Sequence, residues 1–148
     1  MFILLLAVAL TATAGKDTPP QQQWGDEEAG QCFDTAMTQS AMTHCASAAF
    51  ERADARMTTQ WAKTTALFKR VDRDSKTTPW PTKAFDSLLQ GQRAWLTYRD
   101  ATCRAVGLLN AGGSIAPMNE LLCRAETTDL RTKELSDLSR NPNSDEPL

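Results

Sequence analysis

Four cysteines, one histidine and a scatter of carboxylates are the side chains here whose chemistry matters first. Cys32, Cys45, Cys103 and Cys123 never approach the spacing of about two to four residues that builds a zinc knuckle, so oxidation to disulfides is the chemistry they suit. His44 is the sole histidine and has neither a cysteine nucleophile beside it nor metal-ligand spacing, which describes a surface or half-buried histidine. Glu51, Asp54, Asp100 and Glu120 are distributed over helical faces, and no spacing brings two of them together as an acid and base pair requires. The expectation is a protein that is not an enzyme, with no catalytic residue, no cofactor and no metal site.

Four cysteines allow three pairings, and sequence alone does not choose among them. Geometry favours one. On a single straight helix Cys32 and Cys45 would be separated by a rise of about 1.5 Å per residue, too far to bond. If Thr38 is the N-cap, residues 32 to 37 can fold back along the first turns. Cys32 with Cys45 and Cys103 with Cys123 is therefore the preferred set, each loop stabilising the fold by roughly 3 kcal/mol in the chain-entropy model. A crossed pairing would instead tie the first helix to the later hairpin.

Disulfides belong to an oxidising compartment, and the start of the chain agrees with export. Met1 to Ala14 is apolar except for Thr11 and Thr13 and ends in Ala12-Thr13-Ala14, a small-x-small signal-peptidase pattern, although no Lys or Arg precedes the apolar run. Residues 1–14 are thus expected to be a signal peptide and the mature protein to be periplasmic or secreted. The segment is too short to span a bilayer, which takes about 20 apolar residues. No cysteine marks the cleavage point for lipid attachment.

The 148 residues make one domain, and 41% hydrophobic content is enough to bury a core. A net charge of -2 gives no reason to expect nucleic acid or any purely electrostatic partner.

The elements that position these residues read as helices. Residues 15–31, with Pro19-Pro20 and a glutamine run, form a flexible linker in this reading. Met42, Cys45, Ala49, Ala53, Met57, Trp61, Ala62, Phe68 and Val71 then recur mostly at steps of three or four, one face of a helix over about 38–72. It must stop before Pro79-Trp80-Pro81.

Thr82 is placed to cap a second helix, about 82–110, whose face carries Phe85, Leu88, Leu89, Gln92, Trp95, Leu96, Arg99, Cys103 and Val106. Gln92 and Arg99 are polar members of that stripe and belong at its edge or in a small polar cluster. Gly112 and Gly113 suit a C-terminal cap, Ser114 the next N-cap and Pro117 a first turn. Met118, Leu121, Leu122, Ala125, Leu130, Leu135 and Leu138 line a third helix over about 115–138, with a drift that predicts curvature or a break near Thr127-Thr128. Residues 139–148 form a disordered tail in this reading. The fold class is all-α: a disulfide-bonded bundle of about three helices, with at most a short extra turn near Cys32, over the domain 32–138.

The turn from Gly112 to Met118 admits two readings. It is either a plain capped connection or a recognition loop held by a rigid scaffold and a nearby disulfide.

Cys32, Thr38-Gln39, Met42, Cys45-Ala46, Ala53-Asp54, Gln92-Arg93-Ala94-Trp95-Leu96, Tyr98-Arg99-Asp100, Cys103, Gly112-Gly113-Ser114, Pro117-Met118, Cys123 and Arg131 together resemble the LprI-type lysozyme-inhibitor family, over about residues 32 to 135. The resemblance implies a helical, disulfide-bonded protein of the bacterial envelope whose partner is a lysozyme or other cell-wall hydrolase. One departure concerns the first helix: where the family commonly has Thr-Gln-x-Glu-Met-Asn, this chain has Thr38-Gln39-Ser40-Ala41-Met42-Thr43. The glutamate of a capping box is missing, so more fraying is expected there.

Inhibition would proceed by occluding a glycan cleft with its acidic pair, a task for a projecting hydroxyl or guanidinium. The partner-binding candidates are Ser114 and whichever of Arg93, Arg99 and Arg104 is exposed near it. The alternatives are an immunity or envelope-protection protein against another hydrolase or toxin, and a non-inhibitory envelope scaffold.

Overall fold

The computed structural model describes residues 26 to 140. The expected leader, residues 15–25 of the expected linker and the tail from residue 141 lie outside the described residues. Those described form four helices: α1 (Glu27–Thr35), α2 (Gln39–Ser75), α3 (Ala84–Leu108) and α4 (Ala116–Asp137). The class is all-α, with one helix more than expected.

The additional helix, α1, corrects the linker reading at residues 27–31. Asp26 is its N-cap, its side chain accepting from the N–H groups of Glu28 at 3.1 Å and Ala29 at 3.3 Å. Glu27 and Glu28 in the first turn oppose the helix dipole favourably. Ala29 is fully buried against Ala49 and Ala53 of α2, with Phe33 and Phe50 alongside. Arg52 and Arg56 of α2 both face the Asp26 carboxylate. Burial pushes that carboxyl up, but the Arg52 hydrogen bond, the Ala29 N–H and the two guanidinium charges outweigh it and hold Asp26 below the ordinary carboxylate value.

Both preferred disulfides are present. Cys32–Cys45 clamps α1 onto α2 with Cα atoms 5.7 Å apart, and Cys103–Cys123 joins α3 to α4 at 5.3 Å. Thr38 is the N-cap of α2, as the first pairing requires, and accepts from the Ala41 N–H at 3.1 Å even without the capping-box glutamate.

The caps of the other two helices differ from expectation. Lys83, not Thr82, occupies the N-cap of α3, and the helix's free N–H groups are met by Asp72 of α2, which accepts from Ala84 at 2.7 Å and Phe85 at 3.0 Å. Thr82 donates its hydroxyl to the same carboxylate at 2.7 Å. These contacts hold the Asp72 carboxyl below its usual value, the Thr82 hydroxyl contributing most. Ser114 does not cap α4 either; Ile115 holds that position without a side-chain bond, and Pro117 sits in the first turn as expected.

α2 and α4 run parallel with α3 antiparallel between them in sequence. Met57, Leu88 and Leu135 form the lower core, with Trp61, Phe68 and Trp95 packed around them. α4 is continuous through Thr128, so of the curvature or break expected there no break occurs, and Thr128 is itself a fully buried core position. The apparent drift arises because Leu130 and Leu138, counted in the apolar stripe, point outward at 59% and 47% exposure. Val71 is likewise exposed. Ser139, placed in the tail by the sequence reading, is anchored: its hydroxyl lies 2.9 Å from the Thr64 hydroxyl and donates to the Leu135 carbonyl.

Candidate functional site

Two groups of residues compete for a functional reading, and burial separates them. The first surrounds Arg99, which is 6% exposed. Its Nε donates to Asp100 Oδ1 at 2.9 Å, and its Nη1 donates to Thr128 Oγ1 at 3.3 Å and lies 3.8 Å from Asp54 Oδ1. The guanidinium carbon is 5.3 Å from the centre of the Phe50 ring and 5.2 Å from that of Trp95. Next to it Gln92, also buried, accepts from Arg131 Nε at 3.0 Å, and the Arg131 guanidinium carbon lies 5.9 Å from the centre of the same Trp95 ring.

This cluster joins α2, α3 and α4 through groups that are mutually satisfied. Its central guanidinium is enclosed, while Asp54 and Asp100 stand half-exposed at its rim. Arg99 is therefore removed from the partner-binding candidates: it is itself buried, and its charge is spent on two half-exposed carboxylates, a hydroxyl and two aromatic rings. The small polar cluster anticipated for Gln92 and Arg99 is what the structure contains.

The second group is the end of the bundle at the α3–α4 turn. α3 closes at Leu108, and the chain passes through Gly112, whose φ of +84° is the left-handed geometry that favours glycine. Below the turn α3 and α4 touch backbone to backbone: a Cβ on Gly107 would stand 3.1 Å from the Ala116 carbonyl oxygen and from Glu120 Cβ. The Cys103–Cys123 bond lies one turn further down. The turn is thus fixed by a covalent staple, a close helix crossing and a glycine cap.

Arg104, Gly107, Gly112, Pro117 and Glu120 border an open pocket of about 420 Å³ there. Glu120 is neutralised by Arg124 at 2.8 Å, while Arg104 is exposed and meets no carboxylate among the described residues. Ser114 is exposed at the apex of the same turn. Arg93, although exposed, lies 11 residues before Arg104 on α3, about 16 Å along the axis, so the structure does not bring it to the turn.

Sequence reading overlooked the apolar part of this end. Leu109 is 82% exposed, and Leu108 and Ile115 are also exposed beside it. Met37, in the α1–α2 turn, is 90% exposed at the same end, since Gln39 Nε2 reaches Met118 Sδ at 3.4 Å and so brings the starts of α2 and α4 together. The signal was available: Leu108 and Leu109 are apolar, lie at a helix end and fit no helical stripe. His44 is exposed, and no cluster of metal-ligating side chains occurs among the described residues.

Comparison with known proteins fits the same framework. The chain is 33% identical over 104 residues to a protein of Rhizobium meliloti (strain 1021) that is itself uncharacterised, a match covering 70% of this chain and 75% of the relative. No solved structure matches. The family model described as "Lysozyme inhibitor LprI" matches residues 31–135, which span both disulfides, the Arg99 cluster and the α3–α4 turn. This chain belongs to the LprI lysozyme-inhibitor family.

Proposed function

We propose that this protein is an exported, non-catalytic inhibitor that binds a peptidoglycan-cleaving lysozyme with the end of the bundle formed by the α3–α4 turn. The observation that carries the reading is the pairing of rigidity with exposure. Leu108, Leu109 and Ile115 stand in water on a turn held by Cys103–Cys123, the Gly107 crossing and Gly112. A soluble protein gains nothing in its own fold from such a patch, whereas a partner can bury it at small entropic cost.

The binding chemistry follows from the side chains present. A lysozyme cleft carries a pair of catalytic carboxylates. Arg104 offers an unneutralised guanidinium to them, Ser114 a hydroxyl, and the leucines an apolar body to displace water from the sugar subsites. Nothing needs to be cleaved or transferred. Inhibition is steric occlusion, with the charge contact fixing orientation. Two disulfides support an oxidising compartment, and none of the described helices is long and apolar enough to cross a membrane.

A muramidase assay on cell-wall substrate tests this. Oxidised protein should suppress lysis stoichiometrically, Leu109→Asp and Arg104→Glu should each weaken inhibition about tenfold or more, and Ser114→Ala less. Undiminished lysis at excess protein rules out inhibition of the lysozyme tested. Full protection against a different cell-wall hydrolase instead would support the immunity reading.

A further inference from the structure

The opposite end of the molecule is built differently. α2 outruns α4: Thr64 already lies level with Leu135 and Ser139, so residues 65–75 extend about 16 Å further with only the start of α3 beside them. This projecting hairpin concentrates unneutralised positive charge. Among the described residues Lys69, Arg70, Arg73, Lys76 and Lys83, with Lys63 at its base, are all exposed and form no ion pair. By contrast Arg52, Arg56, Arg99, Arg124, Arg131, Lys133 and Arg140 each face a carboxylate. The carboxylates within the projecting stretch are Asp72, committed to the α3 cap, Asp74 and Asp86.

The arrangement is more than helix-dipole compensation. Arg73 and Lys76 at the end of α2 oppose its dipole, but Lys63 and Lys69 precede the last turn and Lys83 sits at the start of α3, where positive charge is disfavoured. Lys69, Arg73 and Lys76 share one helical face, and Lys63 and Arg70 adjoin it seven residues apart. At the apex stands Trp80, 81% exposed between Pro79 and Pro81. The turn that presents it is tied down: Thr82 N–H donates to Ser75 Oγ at 2.9 Å, the Trp80 N–H to Thr78 Oγ1 at 3.2 Å, and Asp72 holds the loop's far side.

We propose that this tip docks on an anionic lipid bilayer. A tryptophan with basic neighbours combines an amphipathic ring that settles at the headgroup boundary with charges that a negative surface attracts. A single-stranded polyanion would need a groove and successive aromatic platforms. Here one indole stands on a convex apex, and Tyr98, 61% exposed, lies on the flank of α3 away from it.

Acidic α1, with Glu27, Glu28 and Asp34, packs on the half of α2 away from the tip, from the level of Arg52 back past Cys45, so the carboxylates it adds lie off the basic end and the charge distribution favours the tip facing the membrane. Docked this way the α3–α4 turn is displayed about 36 Å out along α3. The proposal does not depend on what that turn binds.

Vesicle sedimentation with the oxidised chain from residue 15 onward is the test, in about 0.1 M salt. Binding to phosphatidylcholine vesicles containing phosphatidylglycerol should be strong, should fall as salt rises, and should be lost on pure phosphatidylcholine. Combined K69E, R73E and K76E should lower it about tenfold or more, and Trp80→Ala several-fold, with circular dichroism unchanged in both. Equal binding to neutral vesicles, or undiminished binding of the charge-reversed variant, overturns the proposal. So does binding of a single-stranded oligonucleotide as tight as that of the anionic vesicles.

Discussion

The Arg99 guanidinium has exchanged water for Asp100, Asp54, Thr128 and two aromatic faces, and the cost of removing it falls on those partners. Arg99→Met keeps the bulk but strands a buried hydroxyl and releases two half-exposed carboxylates. Urea unfolding should show a loss of about 2 kcal/mol, against less than about 0.5 kcal/mol for exposed Arg93→Met. Asp26 gives a pH signature. Its folded pKa is depressed, so its contribution is complete above the unfolded value of about 3.9 and disappears as pH falls through the lower folded one. Asp26→Asn retains a capping side chain while removing the charge. The stability gap between wild type and D26N should therefore be constant above about pH 5 and close progressively in more acid solution. A gap that persisted unchanged into strong acid would show that Arg52 and Arg56 do not act through the Asp26 charge.

At the level of elements, three of the four helices and both disulfides were legible because each leaves a periodic or geometric trace. Apolar steps of three and four mark α2 and α3, prolines bound them, and the capping threonine at 38 makes the Cys32–Cys45 bond possible. α1 was missed because the glutamine and proline composition before it dominates the window, although Asp26-Glu27-Glu28 is an N-terminal helix signal in its own right. The Asp72 cap was not legible. It is contributed by a neighbouring helix 12 residues away from Ala84, and no local pattern reports such a contact. Thr64 and Thr128 in core positions likewise defeat a reading by hydropathy, since only tertiary partners make them acceptable there. The Gly107 crossing yields a further prediction. Valine there must push α4 away at Ala116 and Glu120, costing about 1–3 kcal/mol in thermal or urea unfolding, whereas Gly91, with open space around it, should accept alanine without loss.

The whole molecule divides its labour by position. Of the motif residues that carry the resemblance, Asp54, Gln92, Trp95, Arg99, Asp100 and Arg131 gather in the middle of the bundle and tie its helices together, while Gly112, Gly113, Ser114 and Pro117 shape the turn end. The turn end has exposed leucines and a free arginine, and the hairpin end has unpaired cations and Trp80. Of the partner candidates named from sequence, Ser114 and Arg104 stand together at one end, Arg93 stands apart and Arg99 is internal. The net charge of -2 conceals a basic end, because a sum over the chain carries no information on where charges lie. Reducing both disulfides should free each staple and lower the midpoint of thermal unfolding, by roughly 3 kcal/mol of stability per loop. The proposed separation of framework from binding face is tested most directly by the inhibition constant of Leu109→Asp against a lysozyme, measured beside that of Arg99→Met at a temperature where both are folded. The framework variant should inhibit like wild type and the turn variant should have lost about tenfold or more. Inhibition that survives in L109D but fails in folded R99M would place the binding surface on the central cluster and contradict the account.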